Sequence, residues 1–197
     1  MRTLRYVMLA GLLGAAVSAQ AAPVTYKLDP GHTMVLFSWS HFGFSHPTAD
    51  LGIADGTLVF DQQHPSQSSV EVTMPLSNLD THVPALDQHL KQPDFFNADK
   101  YPEVTFKSTS VQPLGGKRYK VTGNLTVHGV TRPVVLDATL NNIGTHPMTG
   151  QPAIGFNATG TLKRSDFGLG AYVPKVSDEI QLNITTEGSV PKAGAGH

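Results

Sequence analysis

The sequence predicts an all-β protein, an antiparallel sheet with one dry face interrupted by a single short helix. Two observations carry this. Between Tyr26 and Glu187, runs with apolar residues at every second position recur about eight times, each ending at a Gly, Pro or Asn break. Such a period sends alternate side chains to opposite faces of a strand. Val70, Val72 and Met74 alternate with Glu71 and Thr73, and Ile180, Leu182 and Ile184 alternate with Gln181, Asn183 and Thr185. Each strand therefore has an apolar face that must be hidden. A filled barrel, a sandwich and a hollow barrel all hide it, and a hollow barrel also leaves room for a ligand.

In chain order the strand candidates are Val24 to Leu28, Met34 to His41, Gly56 to Phe60, Ser69 to Met74 and Glu103 to Ser110. They continue with Arg118 to Val127, Arg132 to Asn142, Ala153 to Lys163 and Glu179 to Gly188, which makes eight or nine strands. The breaks carry turn chemistry: Asp29-Pro30-Gly31, Leu114-Gly115-Gly116, His128-Gly129 and the Pro- and Gly-containing stretch 145–152. Short connections between sequential strands imply antiparallel neighbours. Alternation lapses only from Ser77 to Pro102. There Val83, Leu86 and Leu90 fall at helical spacing, Pro84 suits a first turn, and Thr81 is the expected cap, so a short helix is expected between the fourth and fifth strands. Leu90, Phe95 and Phe96 are expected to point at apolar surface. Asp80-Thr81, Asn97 to Asp99 and Ser165-Asp166-Phe167-Gly168 have the composition of caps and turns, with Phe167 covering a barrel end.

The first residues have the form of a secretory signal peptide. Arg2 and Arg5 give a positive start, Val7 to Val17 an apolar run, and Ala19-Gln20-Ala21 an A-x-A cleavage site, so residues 1–21 are expected to be removed on export. The run is too short for the roughly 20 residues of a membrane span. A barrel domain over 22–190 and a disordered Gly- and Ala-rich tail over 191–197 complete the expected layout. The chain has 197 residues and no Cys, which excludes disulfides, thiolate metal sites and a Cys nucleophile. An exported domain of this kind depends on its core. With a formal charge of −1 and scattered Lys and Arg, the chain lacks the concentrated basic face of a nucleic-acid binder.

The alternation also assigns an inward set. It comprises Val35, Phe37 and Trp39; Leu58 and Phe60; Val70, Val72 and Met74; Val104 and Phe106; Val121, Leu125 and Val127; Leu136 and Leu140; Phe156 and Leu162; and Ile180, Leu182 and Ile184. Gly123, Ala138, Ala158 and Gly160 share the inward phase and are expected to leave open volume. Nine histidines invite a metal reading, yet no H-E-x-x-H spacing occurs, and His82 and His89 are simply two helical turns apart. There is also no G-x-S-x-G elbow, glycine-rich phosphate loop or paired-carboxylate signature, so no catalytic residue is assigned.

Five blocks occur in order: LDPGHTMVLFSWSHFGFS, SSVEVTMPLSNLDT, HLKQPDFFNADKYPEVTFKST, VTGNLTVHGVTRPVVLDATL and GFNATGTLKRSDFGL. Together they resemble the YceI-like, polyisoprenoid-binding family over about Tyr26 to Val190. The resemblance implies an eight-stranded, lipocalin-like antiparallel β-barrel in the periplasm, holding a long isoprenoid chain or similar amphiphile in its lumen without covalent chemistry. The expected lumen contacts are Phe37, Trp39, Leu58, Phe60, Val72 and Met74, then Leu90, Phe95, Phe96, Phe106, Leu125 and Leu136, and finally Phe156, Leu162, Phe167, Ile180 and Leu182. His41 and His89 are candidates for the ligand's polar head. The expected partner is a long-chain lipid, with no cofactor, no metal and no nucleic acid. The exposed Phe42-Gly43-Phe44 loop leaves a transient membrane contact or a homodimer open. The alternatives are an enzyme or metal-assisted protein using His41, His82 or His89 at the barrel mouth, and a packed structural module.

Overall fold

The computed structural model describes residues 22–192, so the expected signal peptide and the tail from residue 193 lie outside the described residues. Among the described residues, eleven strands and one α-helix are formed. The strands are β1 (Val24–Leu28), β2 (Met34–Ser38), β3 (Thr48–Leu51), β4 (Asp55–Phe60), β5 (Ser69–Pro75), β6 (Leu79–Asp80), β7 (Glu103–Gly115), β8 (Arg118–Val127), β9 (Val130–Thr145), β10 (Pro152–Lys163) and β11 (Glu179–Ser189), with α1 (Pro84–Leu90) between β6 and β7.

Eight of them close into a ring in the order β1-β4-β5-β7-β8-β9-β10-β11 and back to β1, every pair antiparallel. The expected barrel is therefore present. Its seam is short: β1 meets β11 only at Lys27↔Ser189 and Leu28↔Gly188. The next stretch of β11 pairs instead with β2, from Gln181↔Ser38 to Thr185↔Met34. The chain thus pairs with one strand twice, bending between the two pairings at the predicted Asp29-Pro30-Gly31 turn. Asp29 accepts the Gly31 amide (2.8 Å) and lies 2.6 Å from the His32 ring nitrogen, and the His32 contact holds its carboxyl below the usual value. Leu28 plugs the seam, seated on Gly56 and Gly188, where a Cβ would crowd its side chain.

From β2 a three-stranded branch runs off the ring, with β3 on β2 and β6 on β3. Neither β3 nor β6 is expected from the alternation, because four and two residues are too short to display a period. The branch buries Ala49, Leu51 and Leu79 against Leu76 and the barrel. The second expected strand, Met34 to His41, ends at Ser38, and His41 instead bridges to Ser45 and Val176 across two loops.

The hairpin from β8 to β9 uses a two-residue turn. His128 and Gly129 both have positive φ (52° and 73°), the combination that matches strand twist in a type I′ connection. Helix α1 starts on Pro84 as predicted, but Thr81 is not its cap. Val83 holds the N-cap position. The Thr81 amide and hydroxyl both donate to the Asp87 carboxylate (2.7 and 2.6 Å), which holds that carboxyl below its usual value and ties the helix to the loop before it. Since His82 precedes the helix, His82 and His89 do not share a helical face.

The two inward glycines act differently from expectation. A Cβ on Gly123 would clash with the Phe106 ring at its Cζ, and one on Gly160 would meet Leu136 at 2.8 Å. These glycines are covered by neighbouring side chains and hold no void of their own. Gly123→Ala is expected to destabilise the protein by about 1–3 kcal/mol through overpacking, measured by chemical denaturation. Adding Phe106→Leu should return part of that loss.

Candidate functional site: an apolar cavity through the barrel

Inside the ring is a cavity of about 690 Å³, within the range of ligand pockets and lined almost wholly by hydrocarbon. The burial pattern shows the hollow directly. Val35, Phe37 and Trp39 on and after β2, and Leu182 and Ile184 on β11, face inward yet remain only half-buried, because they border empty space. In a filled barrel of the same alternation these positions would be buried. Ala138 and Ala158, paired across β9 and β10, also border the cavity and give it width.

One end is closed by aromatic packing. Phe60, Tyr119 and Phe156 meet mutually edge to face, with ring centroids 5.9–6.1 Å apart. Phe60 and Tyr119 belong with Tyr26, Val111, Ala138, Leu140 and Ile154 to one of the two buried clusters, and Phe156 packs against it. Edge-to-face triples of this kind add roughly 0.5–1.5 kcal/mol per pair beyond the area they bury.

The other end is a mouth built from four chain segments. The loop after β2 contributes Trp39, His41, Phe42 and Pro47; α1 and its N-cap contribute Val83, Leu86, His89 and Leu90; the turn after the helix adds Phe95 and Phe96; and the loop between β10 and β11 adds Ala171, Tyr172 and Val176. Rings connect them: Tyr172 stacks on Phe95 (6.2 Å, 24°), and His89 meets Phe95 edge-on at 4.8 Å. Trp39, the one tryptophan in the sequence, stands at this end with its ring 5.9 Å from Phe37.

Arg164 organises the mouth. It is buried beside the cavity, and its guanidinium donates to the carbonyls of Ser177 (2.8 Å), Val176 (2.9 Å) and Leu169. Burial lowers its pKa from the ordinary arginine value, offset in part by the nearby Asp178 carboxylate. Asp178 in turn accepts the Ser165 amide (2.9 Å) and hydroxyl (2.7 Å). One cation thus pins three carbonyls of the loop over residues 168–178.

All the predicted lumen residues, from Phe37 and Trp39 through Phe106, Leu125 and Phe167 to Leu182, border this cavity, as do His41 and His89. Alternation misses Arg164, Phe42, Tyr172, Val176 and Leu51, which sit in loops or in the short β3. In the sequence that region is marked by the turn composition around Ser165-Asp166-Phe167-Gly168 and by the apolar Phe42-Gly43-Phe44 loop. Among the described residues no group of three His, Asp or Glu is placed to hold a metal ion.

Comparison with known proteins agrees with this geometry. The YceI-like domain model matches residues 26–188. A UPF0312 protein of Photorhabdus laumondii is 42% identical over 189 residues, covering 95% of this chain and 96% of its own. Protein YceI of Salmonella arizonae is 39% identical over 180 residues, with 91% and 93% covered. Among solved structures, the Campylobacter jejuni YceI protein superposes with a TM-score of 0.67 at 32% identity, covering 78% of this chain and 90% of that one. Burkholderia cenocepacia BcnA gives 0.73 at 24% identity, covering 81% and 98%. A polyisoprenoid binding domain from Saccharophagus degradans gives 0.62 at 12% identity, covering 84% and 98%, and at that distance the likeness is one of fold.

Removing the Arg164 side chain leaves three carbonyls without their donor. Arg164→Ala is expected to cost about 1–3 kcal/mol in thermal or chemical denaturation. Hydrogen exchange should quicken in residues 168–178 well before it does in β8 and β9.

Proposed function

The chain belongs to the YceI-like family, and on that footing we propose that it binds a long-chain lipid of the polyisoprenoid type in its barrel lumen and stores or carries it without covalent chemistry. The observation that carries the reading is the half-burial of inward residues on β2 and β11, hydrocarbon walls facing open volume. Burying about ten methylenes of a ligand there gains roughly 8 kcal/mol, at about 0.8 kcal/mol per methylene, before the cost of ordering. The contacts proposed for the tail are the predicted lumen residues. His41 and His89, both at the mouth, are proposed for the polar head. The signal-peptide form of residues 1–21 supports action in the periplasm after export. The polyisoprenoid class rests on the resemblance of the five sequence blocks and on the barrel shared with a polyisoprenoid binding domain.

Organic extraction of protein purified without detergent, followed by mass spectrometry, is expected to yield a stoichiometric long-chain amphiphile. An empty barrel would overturn the proposal. Ala158→Phe should lower the extracted amount at least severalfold while the far-ultraviolet circular dichroism stays that of the parent.

The aromatic end sets how far a tail can reach. Extraction from Phe156→Ala is expected to shift the retained species toward longer chains, and an unchanged length distribution would mean that the tail stops short of Phe60, Tyr119 and Phe156.

A further inference from the structure

The two loops at the mouth form a single platform. The Phe42 amide donates to the Lys175 carbonyl (2.8 Å), and the Ser177 amide donates to the Ser40 carbonyl (2.9 Å). Ser40 returns a bond to the Ser177 hydroxyl (2.9 Å), and His41 bridges to Val176. Below them Arg164 holds the second loop from inside. This well-braced platform displays apolar side chains to solvent: Phe44 is 93% exposed, Tyr172 61% and Phe42 48%, with Val173 beside them. Braced loops normally hide such residues. Phe42 and Tyr172 also adopt left-handed backbone conformations, with φ of 54° and 64°, which a residue with a Cβ adopts only at a cost that the surroundings must impose. Strain and rigidity are therefore both spent on holding aromatic rings outward around an apolar opening.

The charges complete the picture. Residues 39–47 and 168–176 contain no Asp or Glu, and their one Lys is Lys175, next to Val173 and Pro174. The carboxylates that flank the second loop are Asp166 and Asp178, and Asp178 is engaged by the Ser165 amide and hydroxyl and lies near the buried Arg164. Exposed aromatic rings beside a lysine, with the flanking Asp178 already engaged by Ser165, suit the interface of a bilayer that contains anionic lipid.

We propose that the double-loop platform is a membrane-docking surface: Phe44, Phe42, Tyr172 and Val173 enter the interface of an anionic bilayer, with Lys175 at the headgroups, and bring the cavity mouth against the acyl layer. The proposal rests on the lipid-binding function for its purpose, since a long chain could then pass between bilayer and lumen without crossing water. The platform itself acts through its own surface. Phe44 does not border the cavity, so docking and ligand retention separate in experiment.

Sedimentation of the purified protein with phosphatidylcholine vesicles, with and without phosphatidylglycerol, tests it. The protein is expected to partition onto vesicles and more strongly onto those with phosphatidylglycerol. Phe44→Ser should weaken that partition about tenfold, Lys175→Glu should remove the preference for phosphatidylglycerol, and Met148→Ser, which changes an equally exposed residue in the turn between β9 and β10, should change nothing. Extracted lipid from Phe44→Ser should match the parent. If the parent protein ignores both vesicles, or Phe44→Ser binds them as well as the parent, docking through this surface is wrong. If sedimentation velocity shows a dimer that Phe44→Ser dissolves while vesicle binding is absent, the platform is a self-association surface and the proposal falls. A protein that binds vesicles but yields no extracted chain would keep the docking surface and overturn the carrier function.

Discussion

The architecture depends on closing a sheet between two strands that share only two residue pairs. Lys27↔Ser189 and Leu28↔Gly188 are all that joins β1 to β11, and without them the eight strands would form an open sheet with two bare edges. The closure works because the inner side of the seam is filled by one leucine seated over two glycines, Gly56 and Gly188. It also works because β11 immediately finds a second partner in β2. The wall is continuous there although the chain bends away from it at Asp29. A continuous wall is what turns a set of amphipathic strands into a container, since the ladder hydrogen bonds of the ring run between neighbouring strands and not into the hydrocarbon interior.

That container is walled by side chains of very different size. Phe106 covers Gly123 and Leu136 covers Gly160, so at each of these pairs one side chain fills the space of two. Ala138 and Ala158 leave width between them, while Phe60, Tyr119 and Phe156 gather into an edge-to-face group.

Much of this was legible in the sequence for a simple reason. In β5, β7, β8 and β11 a period of two runs through enough residues to set both the strand and its inward face, and the turn at His128-Gly129 announces itself by composition. The short elements were not legible. β3 and β6 owe their strand form to pairing with β2, a long-range contact with no local signature. Thr81 has a capping side chain but serves Asp87 instead, because Val83 takes the N-cap position ahead of Pro84. The hollow was anticipated correctly at Ala138 and Ala158, which border it, and wrongly at Gly123 and Gly160: glycine at an inward position shows that no side chain starts there, and says nothing of whether a neighbour's side chain covers it. The mouth was the least legible region, for Arg164 acts through carbonyls of residues five to thirteen positions along the chain, and backbone carbonyls leave no trace in residue identity.

Trp39 is the only tryptophan in the sequence, and the fold sets its indole at the mouth of the cavity beside Phe37. Indole emission shifts with the polarity of its surroundings, so the molecule carries its own optical gauge at the opening of its cavity. Anything that displaces water from that opening changes the surroundings of a single residue, and the emission needs no label to be followed in real time.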